Sequence, residues 1–185
     1  LATAPVKVIE AEDYNYQNGQ YQDNPTVSGI NSAGTQVNGN GVGYLDQVGV
    51  AEVDFHDNST QAGSGTAPDY RLSDFVGTQK GTATEIQPGG ILNDYTRQKY
   101  ALLDTAEYEV RRTEGGEWLN YTRVFPTNNY NAFLRVACRA PQDVLLDRVT
   151  AGASTTNQTT SSLGTFKVPN SGLTVNYRFV PLTDA

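Results

Sequence analysis

The sequence predicts an all-β protein built as a two-sheet sandwich or a barrel. About eight short segments alternate apolar and polar residues with the period of two that is typical of strands. Between them lie polar turns, in a chain with 18 glycines and only 37% hydrophobic residues, and no segment has the pattern of a long helix. With 185 residues the chain is long enough for one core. We therefore expect a single domain over residues 1–185.

The first predicted strand covers residues 6–14, with Val6, Val8, Glu10 and Glu12 on one face. Two carboxylates at this spacing repel each other. Either they form a solvated polar face, or a hard cation such as calcium neutralises them. A long polar loop follows and ends in a short predicted strand at residues 41–46.

Residues 47–105 are predicted to form a loop-rich insertion on the β-core. The segment opens with a strand over residues 48–55 and continues through runs of Ser, Thr, Gly and Ala. Residues 92–103 fit either a short helix or an irregular rim. Because loops on a rigid scaffold commonly carry binding residues, the tyrosines of this insertion are a possible rim of a site.

Residues 107–139 are predicted to form the central strands of the sheet. The pattern is strand, Gly-Gly turn, strand, polar turn and strand. Trp118 alternates in step with Asn120, opposite Leu119, which places the tryptophan off the main core face. In the last of these strands Tyr130, Ala132, Leu134, Val136 and Cys138 share one face. The single cysteine is expected to be a small buried hydrophobe. Further strands are predicted at residues 143–149, 163–168 and 173–182.

Composition excludes several functions. The net charge of −7 and the absence of a long Lys/Arg run argue against nucleic-acid binding. The sequence contains no stretch of 18 apolar residues, so no transmembrane helix is predicted. The single histidine, His56, cannot fill a zinc site with one cysteine, and it lies in no known nucleophile motif. We therefore expect the protein not to be an enzyme.

Tyrosine is the residue type that points to a ligand. Most of the 11 tyrosines lie among Asn, Gln, Gly and Asp. Aromatic faces stack on the C–H faces of sugar rings, while amides and carboxylates bind the hydroxyls. The alternative is that these tyrosines are half-buried anchors of sheets and loops.

Four motifs occur in order: VIEAEDY at residues 8–14, GVGYLD at 41–46, EGGEWLNYTRVFP at 114–126 and YNAFLRVA at 130–137. Together they resemble family 6 carbohydrate-binding modules and the related family 35 type. The resemblance implies a β-jelly roll of the galactose-binding-domain type, a structural calcium and non-catalytic binding of a polysaccharide or glycan.

The resemblance also implies residue roles. Glu10 and Glu12 match acidic positions associated with the structural calcium. Tyr44 matches an aromatic residue that flanks the sugar in a cleft at the loop end of the sandwich. Trp118 and Glu117 match a strand whose tryptophan serves a second cleft, to which we add Asn120 as a polar neighbour.

The sequence departs from the family pattern in three places. About 70 residues separate the second and third motifs, no tryptophan follows residues 170–172, and the family's last strands do not follow Leu182. A sandwich that lacks a strand has an unpaired edge. The chain is then a trimmed piece, or it closes differently, or a neighbouring chain supplies the strand. The last alternative predicts an extracellular structural subunit, a homo-oligomer or filament assembled by strand addition.

Several features favour a secreted or cell-surface protein. The chain contains no methionine, and its first residues fit the end of a processed precursor. Asn58, Asn120 and Asn157 each begin an Asn-x-Ser/Thr acceptor pattern for glycosylation.

Overall fold

The computed structural model describes residues 7–23, 28–31, 36–38, 44, 47–58, 70–74, 76–80, 105–106, 108–172 and 177–183. Within these ranges the chain forms strands and turns but no helix, and every pair of strands is antiparallel. The all-β prediction is confirmed. The possible helix at 92–103 and most of the segment 41–46 lie outside the described residues.

The contacts divide the chain into two compact units, residues 1–123 and 124–185. The prediction of one sandwich over residues 1–185 stays a prediction. In the first unit the described strands are β1 (Ser28–Asn31), β2 (Gln36–Asn38), β3 (Phe55–His56), β4 (Thr78–Lys80), β5 (Thr105–Ala106), β6 (Tyr108–Val110) and β7 (Trp118–Leu119). They pair in the orders β2-β1-β5, β3-β7 and β4-β6.

The predicted first strand does not form within residues 7–14. This segment is irregular and turns at residues 11–12, although its alternation fits a strand. Asp13, Tyr14 and Asn15 are all buried, so no polar face alternates with an apolar one. The segment is held by contacts with other parts of the unit instead of by a sheet ladder.

A buried arginine is part of the core of the first unit. Arg71 is 0% exposed; it donates to the carbonyls of Tyr14 (2.8 Å) and Asn15 (3.1 Å) and lies over the Tyr14 ring. Its guanidinium also pairs with Asp74 at 3.1 Å. Such a charge is tolerated in a core only when it is paired and hydrogen-bonded. Arg71, Val53, Phe55, Tyr70 and Val76 belong to the predicted insertion, so that segment supplies core residues.

The second unit is one antiparallel sheet in the order β8-β11-β10-β9. Its strands are β8 (Phe133–Val136), β9 (Gln142–Ala151), β10 (Thr159–Val168) and β11 (Arg178–Thr183). Cys138, Phe166, Val168 and Val180 form the buried cluster, and Leu134 and Val136 pack against it. The strands predicted at residues 143–149 and 163–168, the inward face of Leu134 and Val136 and the burial of Cys138 are confirmed. Tyr130, predicted on the same face, lies before β8 and is 43% exposed. Residues 173–176 of the last predicted strand lie outside the described residues.

One glycine permits the close pairing of β10 and β11. Gly164 has a φ of +142°, and a Cβ there would lie 2.2 Å from the Thr183 carbonyl oxygen. The register shifts between Ser162 and Gly164, as at a β-bulge. A side chain at this position would push the two strands apart.

Candidate functional site

Trp118 lies half-buried on β7, beside a histidine on the neighbouring strand. The register of β3 and β7 places His56 directly opposite Trp118 and Phe55 opposite Leu119. Residues that are directly opposite in an antiparallel pair point to the same side. The two rings lie 6.2 Å apart between centroids and are inclined by 23°. Phe55 is buried, so this pair of strands has one face in the core and one aromatic face at the surface.

Hydrogen-bonding side chains surround the two rings. Glu52, His56, Asn58, Glu117 and Trp118 together are called the aromatic surface below. His56 Nδ1 lies 2.6 Å from Glu52 Oε1, and its Nε2 lies 2.9 Å from Asn58 Oδ1. The Asn58 backbone N–H donates to Glu117 Oε1 at 3.1 Å. The flat rings and the polar rim therefore occur at one place in the first unit.

Glu117 also orders the turn before β7. Its Oε2 accepts the Glu114 N–H at 2.6 Å, and Gly116, at φ +97°, allows the chain to reverse. One carboxylate thereby ties this turn to Asn58 and fixes the approach to Trp118. The resemblance implies that Glu117 binds sugar, whereas in the structure its carboxylate accepts the backbone N–H groups of Asn58 and Glu114.

Asn120 directly follows β7 and binds the backbone of three other residues of the first unit. Its side-chain amide donates to the Val53 carbonyl at 2.7 Å, and its N–H donates to the Asp54 carbonyl at 2.9 Å. Its own carbonyl accepts the Asn15 N–H. With these bonds made, the amide is engaged inside the unit, which favours a structural role over sugar binding or glycosylation.

Tyr44 is a core residue, and its side chain is 0% exposed. The edge of the Tyr16 ring packs against it at 5.3 Å, and the Arg123 guanidinium lies 5.2 Å from its centroid. Its hydroxyl donates to the Gln22 carbonyl at 3.1 Å and accepts from Arg123 at 3.0 Å. Burial raises the pKa of this hydroxyl. A ring covered in this way has no free face on which a sugar can stack.

Glu10 and Glu12 lie in the turn before the buried segment. Glu12 is buried and Glu10 half-buried, and the Glu10 carbonyl accepts the Asp13 N–H at 3.1 Å. Burial raises the pKa of Asp13 to about 6; the Tyr70 hydroxyl bond opposes this, and the Glu10 charge adds to it. Among the described residues, no group of three His, Cys, Asp or Glu side chains is arranged to hold a metal ion.

The neighbouring carboxylates Asp54 and Asp74 are fully used by the fold. Asp54 accepts the N–H groups of Asn18, Gly19 and Val50 at 2.6 to 3.1 Å. Asp74 accepts the Tyr14 hydroxyl at 2.6 Å and the Gly49 N–H at 3.0 Å. Both act as anchors for backbone turns, and neither is presented for acid–base chemistry.

Sequence reasoning found Trp118 and missed His56, Glu52 and Asn58 as its neighbours. The HDN run in residues 56–58 fits an ordinary loop, and nothing in it indicates which strand it faces. The signal that pairs His56 with Trp118 is the long-range register of β3 and β7, which crosses about 60 residues of sequence.

No helix among the described residues is both long and apolar enough to cross a membrane. Comparisons of the chain with protein-family models, curated proteins and solved structures give no match.

Proposed function

We propose that the protein is a non-catalytic carbohydrate-binding module, and that a polysaccharide or glycan binds at the aromatic surface. The observation that carries the proposal is the stacked pair of rings of Trp118 and His56 on one face, rimmed by Glu52, Asn58 and Glu117. Aromatic faces receive the C–H side of a sugar, and carboxylate and amide groups bind its hydroxyls.

The order of the four sequence motifs supports the same proposal. VIEAEDY and EWLNYTR, far apart in the sequence, meet in the structure just after the first motif. The side-chain amide of Asn15 makes both contacts: its Nδ2 donates to the Thr122 hydroxyl at 2.9 Å, and its Oδ1 accepts the Thr122 N–H at 2.8 Å. We propose that the protein is a secreted or cell-surface β-sandwich and, more specifically, that its strands have jelly-roll topology. Tyr44 is a core residue in this proposal and contacts no sugar.

Structural calcium at Glu10 and Glu12 is part of the proposal. Its support is the concentration of negative charge: Glu10, Glu12 and Asp13 share one turn, and the Glu10 charge contributes to the raised pKa of Asp13. A cation bound by Glu10 and Glu12 would neutralise this charge through oxygen ligands, which calcium prefers. It would stabilise the fold and take no part in a reaction.

The binding proposal is tested by affinity electrophoresis through gels that contain xylan, cellulose derivatives or β-1,3-glucan. At least one polysaccharide is expected to retard the wild-type protein, and Trp118→Ala is expected to abolish the retardation. Tyr130→Ala is the matched control, because Tyr130 is an exposed aromatic residue that belongs to the other unit. Equal retardation of the wild type and Trp118→Ala would remove the site.

A second candidate function is a structural subunit that assembles by strand addition. The observation that favours it is β9, which in the described part of the chain lies at the end of its sheet. This strand is ten residues long, and Leu145 on it is 68% exposed. Long edge strands of this kind pair readily with other chains. If assembly occurs, the wild-type protein elutes from size-exclusion chromatography as an oligomer, and Leu145→Lys elutes as a monomer. A wild-type protein that elutes as a monomer rules this function out.

A further inference from the structure

His56 is the middle of a hydrogen-bond chain that fixes the aromatic surface. Glu52 binds one ring nitrogen and Asn58 binds the other. Glu52 is held in the left-handed conformation at φ +65°, and its N–H donates to the Phe55 carbonyl at 2.7 Å. A non-glycine residue in this region is uncommon, so the carboxylate is placed at a conformational cost.

The bonding pattern requires protons on both ring nitrogens. The Glu52 carboxylate can only accept, so His56 Nδ1 must donate. The Asn58 side-chain NH2 donates to the Gly115 carbonyl at 2.9 Å, which leaves its oxygen facing His56 Nε2. That nitrogen must donate as well. The arrangement is therefore complete only with the imidazolium form of His56.

We propose that His56 is a pH-dependent switch of the aromatic surface: the protonated ring locks the surface in its binding arrangement, and loss of the proton releases it. The proposal rests on the proposed carbohydrate site, whose regulation it describes. The switch itself concerns the protein without any ligand, so the two can be tested separately.

Deprotonation removes one bond of the chain. A neutral ring has a single N–H, and it is retained toward the charged Glu52, the stronger acceptor. The Nε2 lone pair then faces the Asn58 oxygen, which is an acceptor too. To restore a bond, the Asn58 amide must turn its NH2 to the ring and give up the Gly115 carbonyl. The link between β3 and the turn before β7 is weakened in either case.

The groups around His56 favour its protonated, locked form. The hydrogen bonds to Glu52 and Asn58 raise the pKa of His56 above its usual value, and the charges of Glu52 and Glu117 add to this. The element packed against its ring, β7, contributes the uncharged Trp118 and the Glu117 carboxylate. The proton is therefore retained to a higher pH than on free histidine, and it is lost as the pH rises further.

The chain carries its own reporter for this switch. Trp118 is the only tryptophan and His56 the only histidine in the sequence. An imidazolium beside an indole quenches its fluorescence more than a neutral imidazole does. A change of Trp118 emission between pH 5 and 9 therefore measures the proton on His56.

The first experiment is a fluorescence titration of the full chain without ligand. The wild type is expected to brighten in one sigmoidal step whose midpoint lies above that of free histidine. His56→Gln removes the step, and Glu52→Gln lowers its midpoint while the ring stays in place. Asp13→Asn is the control for the carboxyl group whose pKa is raised to about 6, and it keeps the step. A flat wild-type profile, or a step that persists in His56→Gln, overturns the switch.

The second experiment measures retention on insoluble xylan and cellulose at pH 6 and at pH 9. Because one hydrogen bond of the surface is lost, binding is expected to weaken about two- to tenfold at pH 9. In His56→Gln the two pH values give equal retention. Equal wild-type retention at both pH values overturns the switch and leaves the carbohydrate site standing. A fluorescence step without retention at any pH supports the switch and rejects these polysaccharides as its ligands.

Discussion

Single residues carry an unusual share of the stability of the first unit, because its core contains charges. Arg71 donates to the carbonyls of Tyr14 and Asn15 and pairs with Asp74. Removing one partner of a buried pair leaves the other charge without compensation. The cost of losing such a residue is therefore larger than that of losing an exposed charge.

Arg71→Met is expected to lower the free energy of unfolding by about 3–5 kcal/mol, because Asp74 and two carbonyls lose their buried donor. The measurement is urea unfolding followed by Trp118 fluorescence. Lys167→Met is the matched control: Lys167 pairs with Asp143, and their side chains are 63% and 55% exposed. An exposed pair contributes about 0–1 kcal/mol, so the control should change little. Similar losses in both variants would contradict the role given to Arg71.

Asp13 predicts a pH dependence of stability. Burial raises its pKa from 3.8 to about 6 in the folded protein, so the folded state holds the proton more tightly than the unfolded state. This contribution is fully present below pH 3.8 and is lost as the pH rises through about 6. The urea midpoint of the wild type should therefore fall between pH 4 and pH 6.5.

Asp13→Asn should flatten that fall, since the amide cannot ionise and its oxygen still accepts the Tyr70 hydroxyl. His56 also has a raised pKa, and its contribution is lost at higher pH in the same direction. Measuring Asp13→Asn in the His56→Gln background separates the two groups. If the urea midpoint depends on pH in the same way in the double variant and in His56→Gln alone, Asp13 is ionised throughout this range.

Among the elements, β10 and β11 depend on the glycine that lets them approach. Gly164→Ala is expected to cost roughly 1–3 kcal/mol, because of the strained φ of +142° and the contact with the Thr183 carbonyl. Gly115→Ala is the control, since a Cβ there meets nothing within 4 Å. Thermal unfolding of both variants measures the difference. Equal melting temperatures would mean that β11 is not held at this position.

In the second unit, sequence patterns were sufficient to predict strands and a buried face. In β8, alternation places Leu134 and Val136 on the core side, and a strand is predicted over residues 143–149, within β9; the structure agrees with both. These strands pair in one local sheet, so the pattern and the packing describe the same face. Residues 7–14 have a similar alternation but form no strand. The side chains of Arg71, Tyr121 and Arg123 donate to the backbone carbonyls of this segment instead.

The candidate site was only half predictable for the same reason. Trp118 was recognisable as an aromatic residue off the core face. The burial of Tyr44 was not, since its partners Tyr70 and Arg123 come from distant segments. A tyrosine with polar residues next to it in the sequence has the same local pattern whether its side chain faces solvent or buried hydrogen-bonding groups. Only the long-range pairing distinguishes the two.

At the scale of the whole molecule, polar contacts compensate for a low apolar content. Only 37% of the residues are hydrophobic, and buried tyrosines, carboxylates and arginines fill the first unit. If calcium binds Glu10 and Glu12, EDTA should lower the melting temperature, and added calcium should restore it.

The control for the calcium prediction is the double variant Glu10→Gln, Glu12→Gln. It should be insensitive to both EDTA and calcium, because its amides replace the charged ligands. A wild-type melting temperature that does not respond to EDTA would contradict the calcium proposal. It would not bear on the proposed sugar binding at the aromatic surface.

The most direct test of the carbohydrate site is a comparison of three proteins in affinity electrophoresis: the wild type, Trp118→Phe and Trp118→Ala. The binding polysaccharide should retard the wild type most, Trp118→Phe partly and Trp118→Ala not at all, since retardation follows the aromatic face. Equal migration of all three proteins in gels with and without polysaccharide would contradict the proposed function.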